Sequence, residues 1–143
     1  MENFSMNWLA ILVSALIPLI IGAIWYHPKV FGTAWMSATG ITEAKIKTMS
    51  PTKAYIAAVL LSVILSFYLY VNVMTGGPDD MRHGQELFMT FKHGAFLGIL
   101  VVFPVLATNG VFEMKSAKYI FINVFYWIVS LALMGGVLNG WPV

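Results

Sequence analysis

The chain has 143 residues, 59 % of them hydrophobic and 10 % charged, with a formal net charge of +2 and no cysteine. A water-soluble domain carries about 25 % charged residues, and a disordered chain needs low hydrophobicity, so both classes are excluded. The length fits one domain, residues 1–143, with lipid as its solvent; the dispersed charge leaves no nucleic-acid footprint, and the missing thiols exclude disulfides, thiolate metal sites and cysteine nucleophiles.

A membrane helix takes about 20 mostly apolar residues to cross roughly 30 Å of hydrocarbon. The first such stretch, Trp8–Tyr26, carries no charge and stops at His27-Pro28. It reads as a retained span and not as a signal peptide. The residues before it include Glu2 and no Lys or Arg, and no small-residue cleavage site follows it. Near its middle Pro18 removes a donor and frees the carbonyl of Ser14.

Beyond Pro28, the spacing of Phe31, Trp35 and Met36 predicts an amphipathic turn along the membrane interface. Thr42 reads as the N-cap of a helix over Glu43–Thr48, and Ser50-Pro51 resets the chain before the second span, Ala54–Met74. That span ends at Gly76-Gly77-Pro78. Asp79 then reads as the N-cap of a helix with Arg82 and Glu86 at i,i+4, which either stops or runs on into span three. The third span, Lys92–Phe112, is uncharged from His93 onward and is interrupted by Pro104, which frees the Leu100 carbonyl. The fourth, Tyr119–Asn139, holds no charge. Backbone groups in lipid must be satisfied internally, and the period-two alternation of barrel strands is absent, so the spans are helices. The expected fold is all-α: a polytopic integral membrane protein with four transmembrane helices in a bundle.

The basic residues orient the bundle. Lys29, Lys45, Lys47, Lys53, Lys115 and Lys118 lie on one face, and Arg82 and Lys92 on the other, six against two. The six-residue face is expected in the cytoplasm of a bacterial inner membrane, with both termini outside. The aromatic belts agree: Trp8 and Trp141 fall at the outer interface, and Trp25, Tyr26, Tyr55 and Tyr119 at the inner one.

Spans one and three run in the same direction and each has a central proline. Tyr55 and Ser66 in span two are eleven residues apart, as are Tyr119 and Ser130 in span four. Two accounts are open. One is a pair of parallel helix-hairpin repeats related by an axis along the membrane normal; the other is coincidence among apolar sequences of low diversity.

Helix association in lipid relies on close backbone approach and polar contacts. Small residues mark the packing faces: Ala10, Ser14 and Gly22 in span one, Ser62 and Ser66 in span two, Gly94 and Gly98 in span three, Gly136 and Gly140 in span four. Spare faces of this kind predict self-association, or docking to other membrane subunits, in addition to contact with membrane lipids.

The polar residues of interest cluster in depth. Asn123 lies about 6–7 Å inside Tyr119 at 1.5 Å rise per residue. Asn109 and Glu113 close span three at the same level, one helical turn apart, and His27 closes span one there. Asn123, Tyr126 and Ser130 share a face of span four. His27, Asn109, Glu113, Asn123 and Tyr126 therefore form a candidate polar pocket near the cytoplasmic interface. It would take a headgroup, a quinone-like molecule or a proton. The competing reading is interhelical hydrogen bonding with a snorkelling carboxylate.

At the opposite end stand Asn72, His93 and Asn139, with Arg82 and His83 in the adjacent loop. His27 and His93 lie at opposite faces, which disfavours bis-histidine haem ligation within one chain. His93 reads as capping its span or bonding a neighbour. No convergent ligand set for zinc, no nucleophile–base pair and no phosphate-cradling glycine loop is visible, so no cofactor, metal or enzymatic activity is expected. No charge falls near a midplane, which argues against a proton-driven exporter.

One run is distinctive: Gly22, Trp25, Tyr26, Pro28, Phe31, Gly32 and Trp35 in the arrangement G-x-x-W-Y-x-P-x-x-F-G-x-x-W. It resembles the signature of the bacterial DUF1761 family. Asn109 with Phe112-Glu113, and Asn123 with Tyr126 and Gly135-Gly136, add looser matches, so the resemblance covers essentially the whole chain. It implies a small four-span membrane protein and brings no activity with it. It implies no fixed residue at position 27, and hence no ligand role for His27. Physically the motif reads as an interfacial elbow. Trp25 and Tyr26 anchor, Pro28 stops the helix, Phe31 and Trp35 re-enter the headgroup zone, and Gly32 permits a tight turn or close backbone approach.

The expected function is accordingly a structural or assembly role, as a homo-oligomer or small subunit of a membrane complex. The alternative is a binder or carrier of a small lipophilic or anionic molecule at the polar pocket.

Overall fold

The computed structural model describes residues 6–75 and 87–140. Among them every regular element is helical, and four stretches are long and apolar enough to cross a membrane: Trp8–Trp25, Pro51–Asn72, Thr90–Phe112 and Ala117–Gly140. The fold is all-α and polytopic. Expectations that concern Glu2, residues 76–86 (with Asp79, Arg82, His83 and Glu86) and Trp141 lie outside the described residues.

Span one is built from two helices, α1 (Trp8–Ala15) and α2 (Ile17–Trp25). Asn7 caps α1 by accepting the Ala10 N–H at 3.0 Å. The break falls at Leu16, whose N–H donates to the Val13 carbonyl at 3.1 Å, a tightened i→i−3 turn just ahead of Pro18. After Trp25 come a π-helical turn (Pro28–Gly32) and two short helices, α3 (Thr33–Thr39) and α4 (Glu43–Thr48). Gly40 ends α3 in the left-handed region at φ 70°, and Thr42 caps α4 by accepting the Lys45 N–H at 3.3 Å. Span two is α5 (Pro51–Thr75). Span three is α6 (Leu87–Leu97), a π-helical turn (Gly98–Val102) and α7 (Phe103–Phe112). Here the Phe103 N–H reaches back to the Gly98 carbonyl, a widened i→i−5 turn just ahead of Pro104. Span four is α8 (Ala117–Gly140), unbroken.

The two hairpins thus share a plan, a proline-broken helix followed by an unbroken one. Their packing differs. In the second, α6 lies against α8 so closely that a Cβ on Gly94 would collide with the Leu131 carbonyl. One on Gly135 would collide with the Thr90 carbonyl, and one on Gly136 with the Phe91 ring. In the first, α1 and α5 close on each other where the Ser66 hydroxyl donates to the Ile11 carbonyl at 2.8 Å. Below that point α2 and α5 separate.

α8 is the central helix and touches α1, α2, α3, α5, α6 and α7. The core lies around its second half, where Leu131, Met134 and Leu138 are fully buried against Ile11, Leu69 and Tyr70. The Ser14 hydroxyl donates to the Met134 carbonyl at 3.4 Å. The small residues of the packing faces are engaged within the chain: Ser14, Ser62 and Ser66 are buried, Gly94 and Gly98 face α8, and Gly22 faces the Tyr126 ring. Gly140 is exposed at the end of α8.

Candidate binding sites

The conspicuous motif folds into a compact elbow docked on α8. The Trp25 indole N–H donates to the Ile122 carbonyl at 3.1 Å, and the Tyr26 hydroxyl donates to Asn123 Oδ1 at 2.6 Å. His27 is extended and its Nδ1 accepts the Lys29 N–H at 3.2 Å. The His27 carbonyl accepts from Val30 at 2.9 Å and from Gly32 at 3.0 Å, which winds Pro28–Gly32 into its π turn. A Cβ on Gly32 would collide with the Tyr26 carbonyl and the His27 backbone, so only glycine lets the chain fold back this tightly. Ring contacts complete the unit. Trp25 meets Phe31 at 4.5 Å, Tyr26 meets Trp35 edge-on at 5.6 Å, and Tyr26 meets Tyr126 at 5.2 Å between centroids. The elbow is therefore more than an anchor in headgroups. It fixes the end of α2 against the first half of α8.

Because α2 is held to α8 there, and α5 is not, a groove of about 700 Å³ opens between α2 and α5. Pro18, Leu19, Gly22 and Ala23 form one wall, and Ala58, Leu61 and Ser62 the other. Tyr126 and Trp127 form the floor. Tyr26, His27, Pro28 and Tyr55 surround the end nearest the lysine-rich face. The Tyr126 hydroxyl donates to the Pro18 carbonyl at 2.7 Å, so this floor group is already engaged. The walls are mainly apolar, and the polar groups gather at the end level with the span termini.

A smaller cavity of about 270 Å³ lies on the other flank of α8, against α7. Leu106, Asn109, Gly110 and Glu113 line it from α7 and its C-terminus, and Tyr119, Ile120, Asn123 and Trp127 from α8. Asn123 is oriented from both sides. Its Nδ2 donates to the Tyr119 carbonyl at 3.0 Å, and its Oδ1 accepts from Tyr26. Lys115 Nζ lies 5.6 Å from the Tyr119 ring centroid.

The five residues of the candidate polar pocket thus fall into two groups. Asn109, Glu113 and Asn123 come together in the smaller cavity, whereas His27 and Tyr126 line the groove. The Tyr26–Asn123 hydrogen bond and the Trp127 side chain connect the two. Trp127 and Tyr119 are cavity walls outside the five-residue set that depth and polarity single out. A tryptophan eight positions into an apolar span, away from the interfacial belt, was the available signal for the first. At the opposite end, Asn72 and His93 line a third cavity of about 240 Å³ between α5 and span three. Asn72 Nδ2 donates to the Tyr68 carbonyl at 2.8 Å. Among the described residues there is no group of three or more His, Asp or Glu arranged to hold a metal ion.

These features define a small polytopic all-α membrane protein with two cavities beside its central helix. The chain belongs to the DUF1761 family: the family model described as "Protein of unknown function (DUF1761)" matches residues 9–139, nearly the whole chain. No curated protein and no solved structure matches it.

Proposed function

We propose that this protein binds an amphiphile, with its apolar portion in the groove between α2 and α5 and its polar end beside Tyr26, His27 and Tyr55. The observation that carries the reading is the groove itself. Its volume of about 700 Å³ falls in the range of small-molecule sites, roughly 300–1,000 Å³. Its apolar walls and polar end match a molecule that sits with its head at the interface. The reading is one of binding and not of catalysis. The excess of basic residues on the lysine-rich face supports a cytoplasmic position for it. Assembly with a second copy or another subunit is the less favoured role, because the small residues that would mediate it are mostly engaged inside the chain.

The test is retention of lipid-like molecules by the purified protein, read by native mass spectrometry after stepwise delipidation. Ala58→Trp places an indole in the groove wall. The wild type is expected to keep an amphiphile in the groove after the bulk lipid is gone, and Ala58→Trp to retain one molecule per chain fewer. Equal retention by the two, with both folded by circular dichroism, overturns the reading. A reporter fused to the C-terminus that reads cytoplasmic overturns the orientation.

A further inference from the structure

The cavity between α7 and α8 differs from the groove in chemistry. It is the smaller of the two, and its lining includes Glu113, Asn109 and Asn123 beside the aromatic rings of Tyr119 and Trp127. A carboxylate is an acceptor only, and each amide oxygen accepts as well. Asn123 Oδ1 already takes the Tyr26 hydroxyl at 2.6 Å, which fixes its direction and leaves its second lone pair. Three acceptors from three side chains suit a group with three N–H donors. Aromatic faces favour the same group, since ring quadrupoles attract cations within about 6 Å. The chain supplies an internal precedent on one of these rings: Lys115 Nζ stands 5.6 Å from the Tyr119 centroid. The site also lies at the C-terminal end of α7, the negative end of its helix dipole.

The surroundings carry the opposite sign. Lys115 and Lys118 follow Glu113 in sequence across the turn from α7 to α8, and that face of the protein is rich in lysine. A simple cation would be repelled by these neighbours, and a simple anion by Glu113. A molecule with an ammonium next to a phosphate satisfies both.

We propose that the α7–α8 cavity recognises a zwitterionic amino-phosphate. Its primary ammonium is held by Glu113, Asn109 and Asn123 against Tyr119 and Trp127, and its phosphate lies toward Lys115 and Lys118. A quaternary ammonium has no N–H to donate and is discriminated against. The site is separate from the α2–α5 groove and does not depend on that groove being occupied.

The experiment uses the full chain in nanodiscs of phosphatidylethanolamine, phosphatidylcholine and phosphatidylglycerol in equal parts. Lipids that stay bound through delipidation are identified by native mass spectrometry. Phosphatidylethanolamine is expected to be enriched about tenfold over phosphatidylcholine, the size of one charge-assisted contact. Glu113→Gln, at an exposed side chain, is expected to abolish this preference, and Glu113→Asp to restore part of it. Ala58→Trp is expected to leave it intact, so that failure here and failure of the groove reading are told apart. Soluble glycerophosphoethanolamine is added in a second arm. Displacement of the bound lipid shows that the headgroup chemistry suffices and that a free amino-phosphate is an equal source. Persistence of the preference shows that the site is specific to the membrane lipid. Retention of the three lipids in bulk proportion, which means annular lipid only, overturns the proposal. So does a preference unchanged in Glu113→Gln.

Discussion

The two hairpins begin from the same plan and diverge through their small residues. Spans one and three are each broken just ahead of a proline, one by tightening at Leu16 and the other by widening over Gly98–Val102. A proline removes one donor and crowds the carbonyl four residues back, and the helix can relieve that crowding in either sense. In the second hairpin Gly94 and Gly135 let α6 meet α8 backbone to backbone, and Gly136 makes room for the Phe91 ring. In the first, Gly22 meets a tyrosine ring instead, and the α2–α5 side stays open. Glycine against backbone at Gly94 and Gly135 closes the seam of the second hairpin, whereas the Tyr126 ring beside Gly22 acts as a spacer with a groove beside it. One hairpin supplies cohesion and the other supplies space.

That contrast breaks most severely at Gly94. Substitution to Leu would force a side chain into the Leu131 carbonyl, and backbone cannot yield as a flexible side chain does. Overpacking typically costs about 1–3 kcal/mol and sometimes more, and this site belongs at the upper end. The expected outcome is a loss of at least about 3 kcal/mol in unfolding experiments in detergent micelles. A Gly94→Leu protein as stable as the wild type would mean that the α6–α8 seam is not a backbone contact.

A smaller effect is expected in the first hairpin from Tyr126→Phe. This variant keeps the ring that spaces α2 from α8 and removes only the hydroxyl bonded to the Pro18 carbonyl at 2.7 Å. Interhelical hydrogen bonds in membranes average about 0.6 kcal/mol and reach about 1.7 kcal/mol. A loss of about 1 kcal/mol is expected, with amphiphile retention preserved because the groove keeps its shape. A destabilisation as large as that of Gly94→Leu would show that the first hairpin is held by this one bond and not by the elbow.

Hydropathy was enough to read the four spans and the all-α fold, because lipid imposes one length and one way to satisfy the backbone. Depth arithmetic was enough to bring Asn109, Glu113 and Asn123 to one level, since rise per residue is fixed. What it lacked was azimuth. Asn123 and Tyr126 are three residues apart, about 60° from one another around a helix of 3.6 residues per turn. On the central helix that angle is sufficient to send them to different flanks, with Trp127 between the cavities. Two features needed coordinates. The direction in which each proline-broken span relaxes depends on what packs beside it. The α2–α5 groove is a gap between helices, and a gap has no residue of its own to read. The elbow was partly legible. Its glycine announced a close approach, but the approach is to the Tyr26 carbonyl within the motif, and the docking partner is α8.

The sharpest form of the comparison is also the one with the smallest expected effect. Gly22→Ala makes the gentlest enlargement available, at a position that the family motif and the packing pattern both single out. A Cβ there would stand 3.4 Å from Tyr126 Oη and 3.6 Å from the ring edge, which is ordinary van der Waals contact. Gly22 is partly exposed, and its neighbour is a side chain that can move by a few tenths of an ångström at little cost. Alanine also restricts the unfolded chain more than glycine does. The expected change in stability is within about 0.5 kcal/mol, with a groove narrowed by one methyl group and amphiphile retention slightly reduced. Gly94→Ala, the same chemical change in the other hairpin, would place its methyl group inside the distance at which backbone atoms collide. Measured side by side in one detergent, the pair isolates what each glycine touches from what glycine is. Equal losses for the two would mean that glycine matters in both hairpins for its backbone freedom, and the division into seam and spacer would fail.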